Sequence, residues 1–367
     1  MNKMVVANLV HRPLRSLISV VAIAVEVTLI LVIVGLSMGI LNDAKRRQQG
    51  IGADLMVQPP GASVVGQISG APAPVKIADK IGALPHVSAV TPVVTQLNTS
   101  GALEVIYGID LPSFEAVGGP MRYLEGGPFQ APHDVLVDDF LARSKNLHTG
   151  STIEVLNHPF RISGIVENGR GGRKFLPIHT MQDLLDAPDK ASIFYVKADD
   201  PKNADALAAS IKAIPGMEQY SIRTMREWLS LMTPDNVPGF STFIKVVIGV
   251  SVIIGFIVIF QAMYTAVLER TREIGILKSL GASKAYITNV ILRETALLSV
   301  LGILLGIAIS ALAQHQLVRS FPTIRVELSA QWVLNATLIA LVGSLLGAIY
   351  PALKAAQKDP IDALAYE

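Results

Sequence analysis

Four long apolar runs decide what this chain can become. Residues 16–40, 243–268, 287–313 and 332–353 are each rich in Leu, Ile, Val, Ala and Gly. Each holds roughly 20 or more residues, enough at 1.5 Å per residue to cross ~30 Å of hydrocarbon. A backbone in lipid must satisfy its own N–H and C=O groups, so each run reads as a spanning helix. Nothing comparable lies between residues 41 and 242. The expected fold is therefore membrane α-helical, with four transmembrane helices, plus one large extracytoplasmic domain inserted after the first. Charged residues make up 16% of the 367, against about 25% in soluble domains, and the spans account for the deficit. The net charge of +2 gives no sign of a nucleic-acid partner.

Lys3, Arg12 and Arg15 before the first run raise the possibility of a signal peptide. The run exceeds the roughly 7–15 residues of an h-region, and Met38-Gly39-Ile40-Leu41 is a poor small-x-small cleavage site, so it reads as an uncleaved anchor. Lys and Arg in the short flanks then set orientation. Lys3, Arg12, Arg15, Arg270, Arg272, Lys278, Lys284, Arg293, Lys354 and Lys358 share one side, against Arg319 and Arg325 on the other. Both termini are expected in the cytoplasm. The resulting layout is 1–41 for the N-terminus and first span, 42–241 outside, and 242–268 for the second span. A cytoplasmic segment, 269–286, precedes the third span at 287–314. A short outer loop, 315–331, leads to the fourth span, 332–353, and a cytoplasmic tail, 354–367.

The outer domain carries a weak internal repeat. Lys76–Val87 region sequence KIADKIGALPHV and the later LAASIKAIPGM (207–217) both place Ile-x-Ala-(Leu/Ile)-Pro at a helix end. Strands are expected before each helix (54–58 and 193–198) and after it (88–96 and 219–223). Two β-α-β units suggest a split βαβ, porter-like α+β module over 53–97 and 191–226, although two unrelated amphipathic helices would give the same pattern. A β-rich insertion, 98–190, separates the halves, with strands expected at 103–109, 135–137, 152–156 and 161–166. Asn157-His158-Pro159 reads as a hairpin turn, Gly169-Arg170-Gly171-Gly172-Arg173-Lys174 as a mobile, solvated basic tip, and 59–74 as a flexible loop or a docking segment. With no cysteine, packing alone must hold this domain.

No catalytic constellation is evident. Gly281-Ala282-Ser283-Lys284 lacks the first glycine of a P-loop and any strand before it. The seven histidines are scattered, with no zinc spacing, and no Gly-x-Ser-x-Gly elbow occurs. Inside the spans, Gly35/Gly39, Gly302/Gly306 and Gly343/Gly347 form three Gly-x-x-x-Gly pairs, which point to close helix packing or to dimerisation. Glu26, mid-span, must face a partner, a cavity or water. It is either a residue on a substrate path or a carboxyl that sets packing, hydrogen-bonded to Gln261 or Thr28.

The segment Glu269-Arg270-Thr271-Arg272-Glu273-Ile274-Gly275-Ile276-Leu277-Lys278-Ser279-Leu280-Gly281-Ala282 is charged, amphipathic and placed between two spans. With the C-terminal Tyr350-Pro351-Ala352-Leu353-Lys354-Ala355-Ala356 and Asp359-Pro360-Ile361-Asp362-Ala363-Leu364, it resembles the permease half of the MacB/LolC/FtsX-type ABC transporters, the mechanotransmission (type VII) group. GSTIEVLNHPFRISGIV (150–166) is similar to a pattern in their periplasmic domains, and the likeness covers essentially the whole chain. Ala365 stands where the family often has Arg before the final Tyr-Glu.

The resemblance implies a non-catalytic bacterial inner-membrane subunit that carries no cofactor itself. Two copies of a separate ABC ATPase, holding ATP-Mg, would drive it. Glu269, Arg270, Arg272, Glu273, Ile274, Gly275, Leu277, Lys278, Leu280 and Gly281 would form the coupling helix. Ile274, Leu277 and Leu280 would lie on its apolar face, with Arg270, Arg272, Glu273 and Lys278 offered to the ATPase. A second permease chain, a homodimer by default, a periplasmic adaptor and an outer-membrane channel are the further partners implied, within a lipid bilayer. The implied function is efflux or extraction of a hydrophobic or amphipathic substrate. The same resemblance leaves open lipoprotein release, glycolipid or haem export, and an FtsX-like relay that controls a cell-envelope enzyme.

Overall fold

The computed structural model describes residues 13–61, 72–98, 104–237, 239–320, 323 and 325–359. Lys3, Arg12, most of the 59–74 loop, Leu103 and the last eight residues of the C-terminal motif lie outside them. Contacts divide the chain into two compact units. One comprises 1–39, 239–320 and 326–367; the other comprises 40–238 and 321–325.

Helix α1, Pro13–Gln49, is 37 residues long, or about 55 Å. It continues eight residues past the expected end of the span because Ala44-Lys45-Arg46-Arg47-Gln48-Gln49 are all strong helix formers. Gly50 and Gly52, the latter at φ 84°, then stop it. Its last turns, from Ile40 onward, belong to the outer unit.

That unit is built on one ten-stranded sheet. The porter-like part uses β1 (Leu55–Gln58), α2 (Ile77–Gly82) and β3 (Val87–Asn98), followed after the insertion by β11 (Ile193–Ala198), α6 (Ala204–Lys212) and β12 (Ser221–Thr224). Strand order β12-β1-β11-β3, with every pair antiparallel, is the split βαβ arrangement. Alternation sorts the residues. Leu55, Val57, Phe194 and Val196 face Ile81 of α2 and Leu207 and Ile211 of α6. Met56, Ile193 and Tyr195 point to the other face, where Trp228 of α7 (Met225–Leu231) is fully buried.

The insertion has no separate sheet. β3 runs for 12 residues, long enough to pair with β11 along its first half and with β4 (Glu104–Ile109) along its second. The sheet continues as β4-β9-β6-β8-β5, where β5 is Tyr123–Gly126, β6 Asp134–Asp138, β8 His158–Val166 and β9 Lys174–Pro177. β7, Thr152–Val155, adds to β8. Two-residue strands β2 (Ala73–Pro74) and β10 (Lys190–Ala191) pair separately. Short helices α3 (Leu111–Gly118), α4 (Asp139–Lys145) and α5 (Ile178–Leu184) make the insertion mixed rather than purely β.

Two expectations change here. The β7–β8 turn is Leu156-Asn157, both at positive φ, so Val155 pairs directly with His158, and His158 and Pro159 open the strand. The basic segment 169–174 is not a solvated tip. Arg170 donates to the carbonyls of Gly118 and Gly119 at 3.0 and 2.6 Å, and Gly171 N–H to Arg47 O at 2.8 Å. Gly172 lies so close to the Tyr107 ring that even a methyl group would collide with it. Lys174 is buried in β9 and paired with Glu104. The sequence supplied the glycines for close approach and the cations for pairing, which composition alone does not separate from mobility.

The other unit is the apolar bundle of α1, α8 (Phe240–Glu269), α10 (Lys284–Ser320) and α11 (Ala330–Gln357). These are the four helices long and apolar enough to cross a membrane among the described residues. α10 extends to Ser320, further into the expected 315–331 loop than the sequence suggested. Gly302 and Gly306 bring α10 against α1, where a methyl would lie 2.7 Å from Ile23 Cβ and 2.8 Å from Ala24 O. Gly347 does the same for α11 and α8, with Phe256 O at 3.0 Å, whereas Gly343 is looser. Gly35 packs on Val326 and Leu328, its carbonyl accepting from Glu327 N–H at 2.9 Å, and Gly39 is buried. A Ser299–Ser344 hydroxyl contact at 2.6 Å joins α10 to α11.

In the outer unit Asp138 caps α4 by accepting from Leu141 N–H at 2.7 Å and pairs with Arg173 at 3.0 Å. Burial lifts its carboxyl to about 6, against the downward pull of Arg173 and the Leu141 N–H. A group protonated more readily when folded contributes its full stability below the unfolded value near 3.8 and loses it as pH rises through about 6. Thermal melts of Asp138→Asn, which can still cap α4, should therefore show a flatter fall between pH 4 and 7 than the parent chain. An unchanged slope would remove Asp138 as its source.

Candidate functional site

The region around residues 269–282 is built from a helix break. Arg270 leaves helical geometry at φ −111°, ψ 16°, ending α8 and starting α9, Thr271–Ser279. Thr271 steadies the break by donating to Val267 O at 3.1 Å and Leu268 O at 2.9 Å. At the far end Gly281 adopts φ 94°. Its N–H bonds Lys278 O at 3.0 Å while Ala282 N–H bonds Leu277 O at 3.0 Å, a Schellman stop that favours glycine. Ser283 then caps α10 through Tyr286 N–H at 3.2 Å. Nine residues are thus clamped at both ends.

α9 has two unlike faces. Thr271, Ile274 and Gly275 are buried, and Ile274 joins Val267, Ile287, Ala355 and Ala356 in a small core against the ends of α8, α10 and α11. Arg272, Glu273, Ile276, Ser279 and Leu280 are exposed, Leu280 at 80%. Leu280 therefore does not continue the stripe of buried Ile274 and half-buried Leu277; it sits at the helix C-cap, where the Schellman turn carries it outward. Two cations also face inward rather than outward. Lys278 Nζ donates to Ala356 O at 3.0 Å and to Lys358 O, closing the C-terminus of α11 where a cation suits the helix dipole. Arg270 turns to Glu294 at 3.0 Å.

Glu294 is the residue that reading the sequence missed. It lies on α10 with a side chain only 4% exposed, held between Arg270 and Arg15 of α1, the latter at 3.4 Å. Arg15 also reaches Glu269 at 3.3 Å. The four groups tie the ends of α1, α8, α9 and α10 together. The available signal was the only acid in the third apolar run, Glu294 beside Arg293 near its start, with Arg270 and Arg272 following the run before it.

Glu26 lies elsewhere in the bundle. Its carboxyl is buried against Gly255 of α8, so closely that a side chain at 255 would overlap it. Oε1 has no hydrogen-bond partner among the described residues. Neither expected partner serves: Thr28 donates to Gly306 O at 3.2 Å, and Gln261 is exposed on α8.

The MacB-like periplasmic core domain model matches residues 16–214, and the FtsX-like permease C-terminal model matches 245–360. The chain belongs to the MacB/FtsX-like family of ABC transporter permeases. An uncharacterized ABC transporter permease, YknZ of Bacillus subtilis, is 30% identical over 59% of this chain and 57% of its own length. The macrolide export ATP-binding/permease protein MacB of Neisseria meningitidis is 25% identical over 98% of this chain and 60% of its own. YvrN of Bacillus subtilis, another uncharacterized ABC transporter permease, is 23% identical over 96% of both chains. This chain spans between about a third and three-fifths of the first curated relatives it matches. It is a membrane protein of the permease type.

Removing a partner from a buried charge cluster is costly, roughly 3 kcal/mol or more, and coupled residues are non-additive. In detergent, Arg270→Gln and Glu294→Gln combined should destabilise less than the sum of the single variants, by about 1 kcal/mol or more. Strict additivity in chemical or thermal denaturation would show that the pair contributes nothing.

Proposed function

We propose that this chain is the permease of an ATP-driven exporter, passing motion from a separate ABC ATPase through its spans to the outer domain. The observation that carries the reading is α9, a helix clamped at both ends with Arg272, Glu273, Ile276 and Leu280 exposed on one side. A mixed charged and apolar surface on a rigid, short helix suits docking to a soluble protein. Residues 1–367 hold no P-loop, so ATP-Mg binding is assigned to an ABC ATPase outside them.

In this reading both termini and α9 are cytoplasmic, the outer domain is periplasmic and the membrane is the bacterial inner membrane, as the Lys and Arg distribution suggests. Two ATPase copies serve two permease chains, most simply identical ones. MacB relatives are named for macrolide export, so the proposed substrate is hydrophobic or amphipathic. A periplasmic adaptor and an outer-membrane channel complete the proposed path. Glu26, buried in the bundle, is assigned a packing role against Gly255 rather than a place on the substrate path.

The test is purification in detergent with the ABC ATPase of the same organism. The parent chain should carry two copies of each subunit. Leu280→Asp and Glu273→Lys, both at exposed positions, should lose the ATPase while the permease stays monodisperse. Gly281→Trp should weaken the complex through strain at φ 94°, on the order of 1–2 kcal/mol, because space beside the glycine is open. Equal ATPase recovery with all three variants would contradict the α9 assignment.

A further inference from the structure

We propose that Asp43 is a positioning residue that fastens the loop between α10 and α11 onto the outer domain. That hairpin, as well as α1, would then deliver motion to the domain. The proposal deepens the permease reading and rests on it for its functional meaning. Its structural content stands on residues of the outer unit alone.

Three guanidinium groups converge on the Asp43 carboxylate. Arg47 Nη1 lies 2.8 Å from Oδ2, Arg173 Nη2 3.0 Å from Oδ2, and Arg325 Nε 3.4 Å from Oδ1. Each belongs to a different piece of chain: the end of α1, the β8–β9 connection and the α10–α11 loop. Arg173 is shared further, donating to Thr323 O at 3.1 Å and pairing with Asp138 at 3.0 Å. Arg325 also lies over the Phe140 ring at 4.9 Å, and Arg173 over the same ring at 5.8 Å. The loop is thus held by an ion pair, a hydrogen bond to its backbone and a cation–π contact.

The site is built rather than incidental. The Asp43 and Arg173 side chains are only 10% and 12% exposed. At such sites charge-assisted bonds are stronger than on the surface, and leaving a partner unsatisfied is costly. Residues 321–325 also group with 40–238 in one compact unit, whereas the helices they connect in sequence belong to the other. Because that loop is covalently continuous with α10 and α11, a displacement of those helices pulls on Asp43 and Arg173.

Hydrogen exchange on the full chain in detergent tests the structural half without any ATPase. Asp43→Asn and Arg325→Gln should each speed exchange of the peptide spanning 321–327 by about tenfold or more. Protection in β1, β3 and β11 should be retained. Arg325 sits on the loop and is a third exposed, so its variant remains informative if Asp43→Asn does not fold. Unchanged loop exchange in folded Arg325→Gln would overturn the clasp. In the reconstituted complex, the ATP-driven shift in distance between spin labels at Lys212→Cys and His315→Cys should persist with Asp43→Glu, and Asp43→Asn should lose most of it with the ATPase still bound. A full shift with a freed loop would overturn the positioning role. Failure of the permease reading itself would look different, as a parent chain that binds no ATPase while the exchange result stands.

Discussion

An ionised carboxylate taken out of water is costly unless cations meet it, and at Glu294 and Asp43 this protein meets that need with arginines from distant segments. Glu294 is nearly inaccessible and is held by Arg15 and Arg270. Asp43 is held by Arg47, Arg173 and Arg325. Neither cluster can form unless segments far apart in sequence arrive together, so each acts as a specification of how they meet. Apolar helices in lipid have little else to choose among rotations and registers, since leucine against lipid and leucine against leucine differ little. The small residues then refine the choice, with Gly302, Gly306 and Gly347 allowing the close approaches that larger side chains would block.

At the Glu294 cluster Arg270 is drawn inward, at the residue where α8 gives way to α9, and Lys278 is bonded to the C-terminus of α11. The face left exposed, and proposed here for the ATPase, is that of Arg272, Glu273, Ile276 and Leu280 on a helix hydrogen-bonded at both ends. A force applied there meets a clamped element rather than a hinge. In the outer unit, the Asp43 cluster plays the corresponding part, joining the end of α1 and the α10–α11 loop to the long mixed sheet.

Much of this was legible in the amino-acid sequence, for identifiable reasons. The spans were readable because lipid imposes length and apolarity together. The split βαβ topology was readable because its two helices repeat one pattern and its strands alternate cleanly, as Leu55, Met56 and Val57 illustrate. Charge was read less well. Glycines and arginines at 169–174 looked mobile, yet the glycines permit contact with Tyr107 and the arginines reach Asp43, Asp138 and the Gly118 carbonyl. Arg270, Lys278 and Glu294 could not be sorted into inward and outward groups from helical period alone, because their partners lie on other helices. Leu280 was misplaced for a local reason, the Schellman turn that ends the helix at that residue.

The central claim is that ATP turnover on a partner moves the outer domain through these connections. Because the chain contains no cysteine, spin labels can be placed singly. The direct measurement is the distance between labels at Lys212→Cys on the outer domain and His315→Cys on α10, in the reconstituted complex with the ATPase. The account predicts a distribution that shifts between nucleotide-free and ATP-bound states and returns on hydrolysis. Continuous ATP turnover with one unchanging distribution would contradict it.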